Sequence, residues 1–272
     1  MNVLFIGDVF GRPGRELVRA GLRVLVDRFG VDFVIANVEN AAAGFGITRE
    51  IGDIIAGWGV DVMTSGNHIW DKKEALDYIG AEPRLLRPAN YPAGAPGRGS
   101  LLARTDDGRG VAVINLMGRV FMNALDDPFA AATREIEALG ARTRVIIVDF
   151  HAEATSEKMA MGWFLDGKVS AVIGTHTHVQ TADERVLPGG TAYLTDVGMT
   201  GPMDSIIGTE REAALSRFLT GLPSRFEPAT GNPRLHAVVI GIDEATGRAT
   251  SITRLDCSPE DLARMRPDPD EA

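Results

Sequence analysis

Five short apolar runs in this chain stop abruptly at glycine or at a knot of polar residues, and that punctuation restricts the fold more than any other feature. The clearest is Ala171-Val172-Ile173, which halts at Gly174-Thr175-His176-Thr177-His178. A continuous apolar run of this length, closed by a turn signal, reads as a buried strand. Its end is then the carboxyl edge of an open α/β sheet, where such sheets place their ligands. Val3 to Ile6 ends likewise at Gly7-Asp8, and Phe33 to Val38 at Glu39-Asn40. Val60 to Thr64 is followed by Ser65-Gly66-Asn67-His68, and Val145 to Val148 runs into Asp149-Phe150-His151. These ends deliver Asp8, Glu39, Asn40, Asn67, His68, His151, His176 and His178 to one rim. The chain has only five histidines, and four of them fall at these ends.

The segments between the runs supply helices. Arg15 to Phe29 repeats Leu17, Val18, Leu22, Leu25 and Val26 at helical spacing behind Pro13 and Gly14. Thr48 is placed to cap a helix to about Trp58, with Ile51, Ile54 and Ile55 facing inward. Pro128 to Leu139, Ser156 (as cap) through Phe164, and Glu210 to Leu219 read as further helices. Ser100 to Arg104 and Gly110 to Leu116, joined by Asp106-Asp107-Gly108, form a hairpin, so the sheet is mixed rather than all parallel. Thr191 to Thr195 is another strand, and Arg234 to Ile242 with Ala249 to Leu255 close a second hairpin. Gly7, Gly11 and Gly14 lack the G-x-G turn of a dinucleotide fingerprint, which argues against a Rossmann site. Pro83 to Gly99, rich in proline and glycine, reads as a long irregular loop of the kind that is functional or faces a partner. The expectation is a single domain over 1–272, a mixed α/β sandwich with a frayed tail at 267–272.

Charge and cysteine content narrow the function. A net charge of -9 offers no basic field for a long polyanion, so duplex nucleic acid is not an expected partner, whereas a small phosphate compound is compatible if metal supplies the positive charge. Cys257 stands alone, which excludes an internal disulfide and a multi-thiolate zinc site and fits a reducing cytoplasm. The N-terminus lacks a basic leader, and no run approaches the ~18 apolar residues of a membrane span. The expected location is cytoplasmic. The sequence sets no oligomeric state and leaves a homo-oligomer open.

Side chains two apart on extended chain point the same way, so His176 and His178 can converge on one metal cluster. Nitrogen and oxygen donors without thiolate suit Mn, Fe or Zn better than Ca or Mg. At this point the residues resemble a family. Gly7-Asp8, Gly66-Asn67-His68, the isolated His151 and Gly174-Thr175-His176-Thr177-His178 look like the ordered motifs of calcineurin-like metallophosphoesterases, over most of the chain. Asp8-Val9-Phe10, Glu39-Asn40, Gly66-Asn67-His68-Ile69-Trp70-Asp71 and Asp149-Phe150-His151-Ala152-Glu153 resemble its YmdB-like branch more closely.

The resemblance implies a four-layer αββα fold and two divalent or trivalent metal ions, Fe or Mn with Zn as an alternative. It also implies hydrolysis of small phosphodiesters, above all 2′,3′-cyclic nucleotides, with 3′,5′-cyclic ones as a further class. Carried over residue by residue, it implies a first metal on Asp8, Glu39, Asn40 and His178. The second would take Glu39 as shared bridge with Asn67, His151 and His176. A hydroxide bridging the ions would attack phosphorus in line, and protonated His68 would donate to the leaving sugar oxygen. Two departures from the wider superfamily matter: Phe10 stands where Asp-x-His is usual, and Val38-Glu39 where Gly-Asp is usual. Asn40 is the nearest residue to fill the coordination position that Phe10 vacates.

Other residues carry two readings each. Asp149 is either an acceptor behind His151 or an ordinary strand end, and Asp71 either orients His68 or caps a turn. Glu153, Thr155 and Lys158 either line the site or begin a helix, with the helix start preferred; His236 is read as structural, and Arg12, Arg87 and Arg119 as solvated rather than as phosphate clamps. Trp70, Phe45 and Phe121 are read as core rather than base-stacking. Two rival functions stay open, a broad phosphomonoesterase or nucleotidase and a non-catalytic scaffold.

Overall fold

Alternation along the first strand decides the architecture. Val3 and Phe5 belong to one apolar cluster and Leu4 and Ile6 to another, and all four are fully buried. A strand covered on both faces needs a layer above and a layer below. The computed structural model describes residues 1–266, and the tail expected at 267–272 lies outside the described residues.

In chain order the elements are β1 (Asn2–Ile6), β2 (Asp8–Val9), α1 (Gly11–Phe29), β3 (Phe33–Asn37), α2 (Arg49–Gly57), β4 (Val62–Thr64), α3 (Ala75–Ala81), β5 (Ser100–Arg104), β6 (Gly110–Met117) and α4 (Pro128–Gly140). There follow β7 (Ile146–His151), α5 (Thr155–Leu165), β8 (Ala171–Thr175), β9 (Arg185–Val186), β10 (Ala192–Leu194), β11 (Met199–Pro202), α6 (Arg211–Thr220), β12 (Pro233–Asp243), β13 (Arg248–Cys257) and α7 (Pro259–Arg264).

A seven-stranded sheet runs β2-β11-β12-β1-β3-β4, with β13 also paired to β12, and a six-stranded sheet runs β5-β6-β7-β8-β10-β9. β1, β3 and β4 are parallel, as are β6, β7, β8 and β10, while both expected hairpins, β5–β6 and β12–β13, are antiparallel. The sheets face each other through Val3, Phe5, Ile35, Val113, Ile147, Ile173 and Ile240. Outside the first sheet lie α1 and α2, through residues such as Leu22, Leu25 and Ile55, and outside the second lie α4 and α5, through Ala131, Met161 and Leu165. The result is the expected mixed α/β sandwich, four layers deep.

Several local expectations are corrected. α1 starts at Gly11 rather than Arg15, because Pro13 falls in the first turn, where a missing N–H costs nothing. Thr48 does cap α2, accepting from the Ile51 N–H at 3.3 Å, but Ile54 is 44% exposed. Ser156 does not cap α5, whose N-cap is Ala154 with no side-chain bond. The Pro83–Gly99 loop is stapled from within, since buried Arg87 donates to the carbonyls of Pro88 and Pro96. β2, β9, β11, α3 and α7 were not legible as elements. Among the described residues, no helix is long and apolar enough to cross a membrane.

Candidate active site

Parallel pairing of β1, β3 and β4, and of β7 with β8, brings the carboxyl ends of both sheets to one rim. Asp8, Glu39, Asn40, Asn67, His151, His176 and His178 meet there, and His68 stands beside them. Asp8, Glu39 and His151 have no exposed surface.

The donors fall into two groups. In the first, His178 Nε2 lies 3.2 Å from the Asn40 side-chain amide and 3.9 Å from Asp8 Oδ1. In the second, His151 Nε2 lies 3.0 Å from each of Asn67 Oδ1, His176 Nδ1 and Glu39 Oε1. Glu39 Oε1 also accepts from the Asn40 amide at 3.4 Å, so one carboxylate touches both groups. Its other oxygen accepts from the His68 backbone N–H at 3.0 Å.

Outward hydrogen bonds fix which nitrogen of each imidazole faces in. The Thr175 hydroxyl has one proton and gives it to Asp149 at 2.7 Å, so His151 Nδ1 must donate to that hydroxyl at 2.9 Å. Asp149 is therefore more than a strand end: it also accepts from Asn37 at 3.1 Å, and burial pushes its carboxyl up to about 6 despite the pull of His151. His178 Nδ1 donates to the Ile207 carbonyl at 2.9 Å. His176 Nε2 sits 3.1 Å from Glu153, which draws Glu153 out of the plain helix-start reading.

With outer N–H groups so committed, three imidazole lone pairs and two carboxylates point at one another. Among the described residues buried Asp8 Oδ1 has no hydrogen-bond partner, and burial, then the nearby Glu39 and Asp196 charges against the pull of His151, hold the Asp8 carboxyl well above its usual range. Burial alone would lower His151, yet the adjacent Glu39 carboxylate drives it up to about 9. Burial, then the His151 charge, presses His176 down to about 3. Such a set is unfavourable by itself and is what a cation relieves. Ligand atoms of Glu39, His151 and His176 all lie within 4.8 Å of one another. The residues present fit a metal centre.

The backbone is bent to make this possible. His176 and His178 adopt φ of 97° and 65°, a left-handed region that costs side-chain-bearing residues energy and that surrounding structure must enforce. Asp196 enforces it, accepting from the Thr177 N–H at 3.0 Å and from the Thr177 hydroxyl at 2.6 Å. Lys158, fully buried, pairs with the same carboxylate at 2.7 Å, so it too is more than a helix start. Gly66 is required by close approach, since a Cβ there would lie 2.1 Å from the His151 ring.

His68 differs from the others. Its Nδ1 lies 2.7 Å from Asp71, which orients the ring, and among the described residues its other nitrogen has no hydrogen-bond partner. The ring lines a cavity of about 520 Å³ together with Asn40, His178, Phe45, Ile207 and Phe218. Phe45 thus contributes to a pocket rather than to the core, whereas Phe121 is 90% exposed and Trp70 packs edge-on against Tyr91. His236 stands apart on β12, 3.2 Å from Asp256. Arg12 and Arg119 pair with Glu16 and Asp127 at the surface.

Sequence reading missed Asp196 and Ile207, and preferred a helix start for Lys158. Asp196 had a usable signal, for Ala192-Tyr193-Leu194 also ends in Thr195-Asp196 at this rim. Ile207 had none.

A family model for YmdB-like proteins matches residues 4–255. The chain is 52% identical over 255 residues to the 2′,3′-cyclic-nucleotide 2′-phosphodiesterase of Bacillus subtilis (strain 168), covering 94% of this chain and 96% of that protein. Two crystal structures superpose closely. A hypothetical protein from Thermus thermophilus is 45% identical with a TM-score of 0.88, covering 95% of this chain and 99% of that one. A Mycoplasma pneumoniae protein described as a novel phosphatase is 33% identical with a TM-score of 0.89, covering 95% and 93%.

Proposed function

This chain belongs to the YmdB-like family, and from that premise we propose that it is a metal-dependent phosphodiesterase acting on 2′,3′-cyclic nucleotides. The observation that carries the reading is the division of the inward-facing donors into two groups joined by Glu39, next to a cavity onto which His68 opens. Asp8, Asn40 and His178 would hold one ion, Asn67, His151 and His176 the other, and Glu39 both. Nitrogen and oxygen donors without sulfur suit Fe, Mn or Zn, and the family resemblance favours Fe or Mn among them. Bound there, two such cations supply positive charge for the phosphoryl oxygens and bring the pKa of a water toward neutrality.

The chain's own residues do the rest. The outward bonds to Thr175, Ile207 and Glu153 lock the three imidazoles so that their lone pairs stay aimed inward. Asp71, 2.7 Å from His68 Nδ1, orients the ring and leaves Nε2 as the nitrogen that would act on the substrate. In a 2′,3′-cyclic nucleotide a hydroxide from water would add to phosphorus in line as the bond between phosphorus and O2′ breaks, and His68 would donate its proton to O2′ as that oxygen departs, leaving a nucleoside 3′-phosphate.

The test is elemental analysis of the protein purified without added metal, followed by turnover of 2′,3′-cyclic AMP, 3′,5′-cyclic AMP and p-nitrophenyl phosphate. Near two transition-metal ions per chain, with fastest turnover of the 2′,3′-cyclic compound, is expected. Faster hydrolysis of the monoester would make the protein a phosphomonoesterase, and absence of bound metal and of turnover would favour a scaffold.

A further inference from the structure

We infer that the apolar cavity beside His68 and His178 seats the nucleobase of the substrate, with the exposed ring of Phe218 as its stacking surface; this rests on the cyclic-nucleotide reading above. The cavity of about 520 Å³ has two unlike walls. Its inner wall is Asn40, His68 and His178, which belong to the polar cluster. Its outer wall is aromatic and aliphatic, with Phe45, Ile207, Phe218 and Phe226. A ligand that spans both must carry an anionic, oxygen-rich end and a flat apolar end, and a nucleotide has that shape.

Three details fix the register between the walls. The Phe45 ring meets the His68 ring edge-on at 5.2 Å, so the apolar wall is held against the expected proton donor. Ile207 lines the cavity while its carbonyl accepts from His178 Nδ1 at 2.9 Å. It does so at φ 46°, a conformation that a β-branched residue adopts only under constraint, and strain of this kind gathers at ligand sites. Phe218 is 81% exposed on α6 and buries little within its own fold, whereas Phe226 already has the Arg217 guanidinium over its face at 5.2 Å. The open ring is thus Phe218.

The cavity's chemistry also limits what it can discriminate. Outside the inner wall, its polar side chains are Thr209 and Arg217, and the Thr209 hydroxyl is spent on the Ile206 carbonyl at 2.9 Å. Among the described residues, no amide or carboxylate side chain of the outer wall is available to read a base edge. Stacking accepts every base, so the four 2′,3′-cyclic nucleotides should be turned over within a narrow range, purines ahead through larger stacking area.

The experiment compares kcat/KM for 2′,3′-cyclic AMP with that for glycerol 1,2-cyclic phosphate, a five-membered cyclic phosphodiester without a base, in the metal-loaded enzyme. Phe218→Ala should lower that ratio by roughly 5- to 100-fold, the worth of one stacked base. Phe218→Trp should keep it, and Leu219→Ala, on the same helix but outside the cavity, should leave it unmoved. Calorimetric titration with adenosine 3′-monophosphate and with inorganic phosphate reads the base site without turnover. Phe218→Ala should weaken the nucleotide by a similar factor and phosphate not at all. An unchanged ratio in Phe218→Ala, or an equal loss on both substrates, would overturn the base site. If the wild type turns over neither cyclic compound, the phosphodiesterase reading fails and titration alone decides. Adenosine 3′-monophosphate binding no tighter than phosphate would then remove the base site as well.

Discussion

At His151 one nitrogen is committed to Thr175 and the other faces Glu39, Asn67 and His176, so the ring cannot both keep its outer bond and turn away from the cluster. Asp8 has a buried oxygen that lacks a hydrogen-bond partner among the described residues, and a bound cation would relieve it. Truncating a donor should therefore differ in kind from truncating His68. Asp8→Ala should lose both bound metal and turnover. His68→Ala removes a side chain whose contact with Glu39 is made by its backbone, so metal should stay while turnover of a substrate with a poor leaving group falls by about 10²-fold or more. Elemental analysis beside kcat separates the two, and normal turnover by His68→Ala would end its role as acid. Asp8, Glu39, Asn67 and the histidines were legible because each follows an apolar run at a strand end. The pairing of Asp71 with His68 was one of two open readings, and only the ring's position chose between them.

At the scale of elements, the turn after β8 and the turn after β4 do most of the positioning. The first is held in its left-handed bend by Asp196, and buried Lys158 from α5 neutralises that carboxylate at 2.7 Å. Lys158→Met should cost about 3–5 kcal/mol in chemical denaturation, since it leaves a buried charge unpaired. A change under about 1 kcal/mol would mean that water reaches Asp196. The second turn passes so close to β7 that Gly66→Ala should displace the His151 ring and lower metal content without unfolding the protein, measured by elemental analysis and circular dichroism. The long strands and the helices α1, α2 and α4 were visible from apolar spacing and capping signals. β2 and β11 were not, because a pair of two to four residues has no period of its own and exists only where the chain after β1 meets the chain before α6.

For the whole molecule, the rim that gathers the donors is made by two sheets whose shared core spans Phe5, Ile147 and Ile173. Metal bound at this rim would be coupled to folding, because the donors come from strand ends across both sheets and converge only in the folded state. Stripping metal with a chelator should lower Tm, and returning Mn should raise it in a concentration-dependent way, as mass action requires. We propose that residues 1–266 unfold as one unit, so scanning calorimetry should give one transition; two resolved transitions would divide the chain. The sequence by itself determined which residues stand at strand ends, the helical stretches between them and the absence of thiolate ligands, because these follow from local periodicity and residue chemistry. Only the tertiary structure decided which imidazole nitrogen faces inward, that Lys158 and Asp196 brace the histidine turn, and that α6 closes a cavity over His68. Each of those depends on contacts between segments far apart in the chain, which no local pattern encodes.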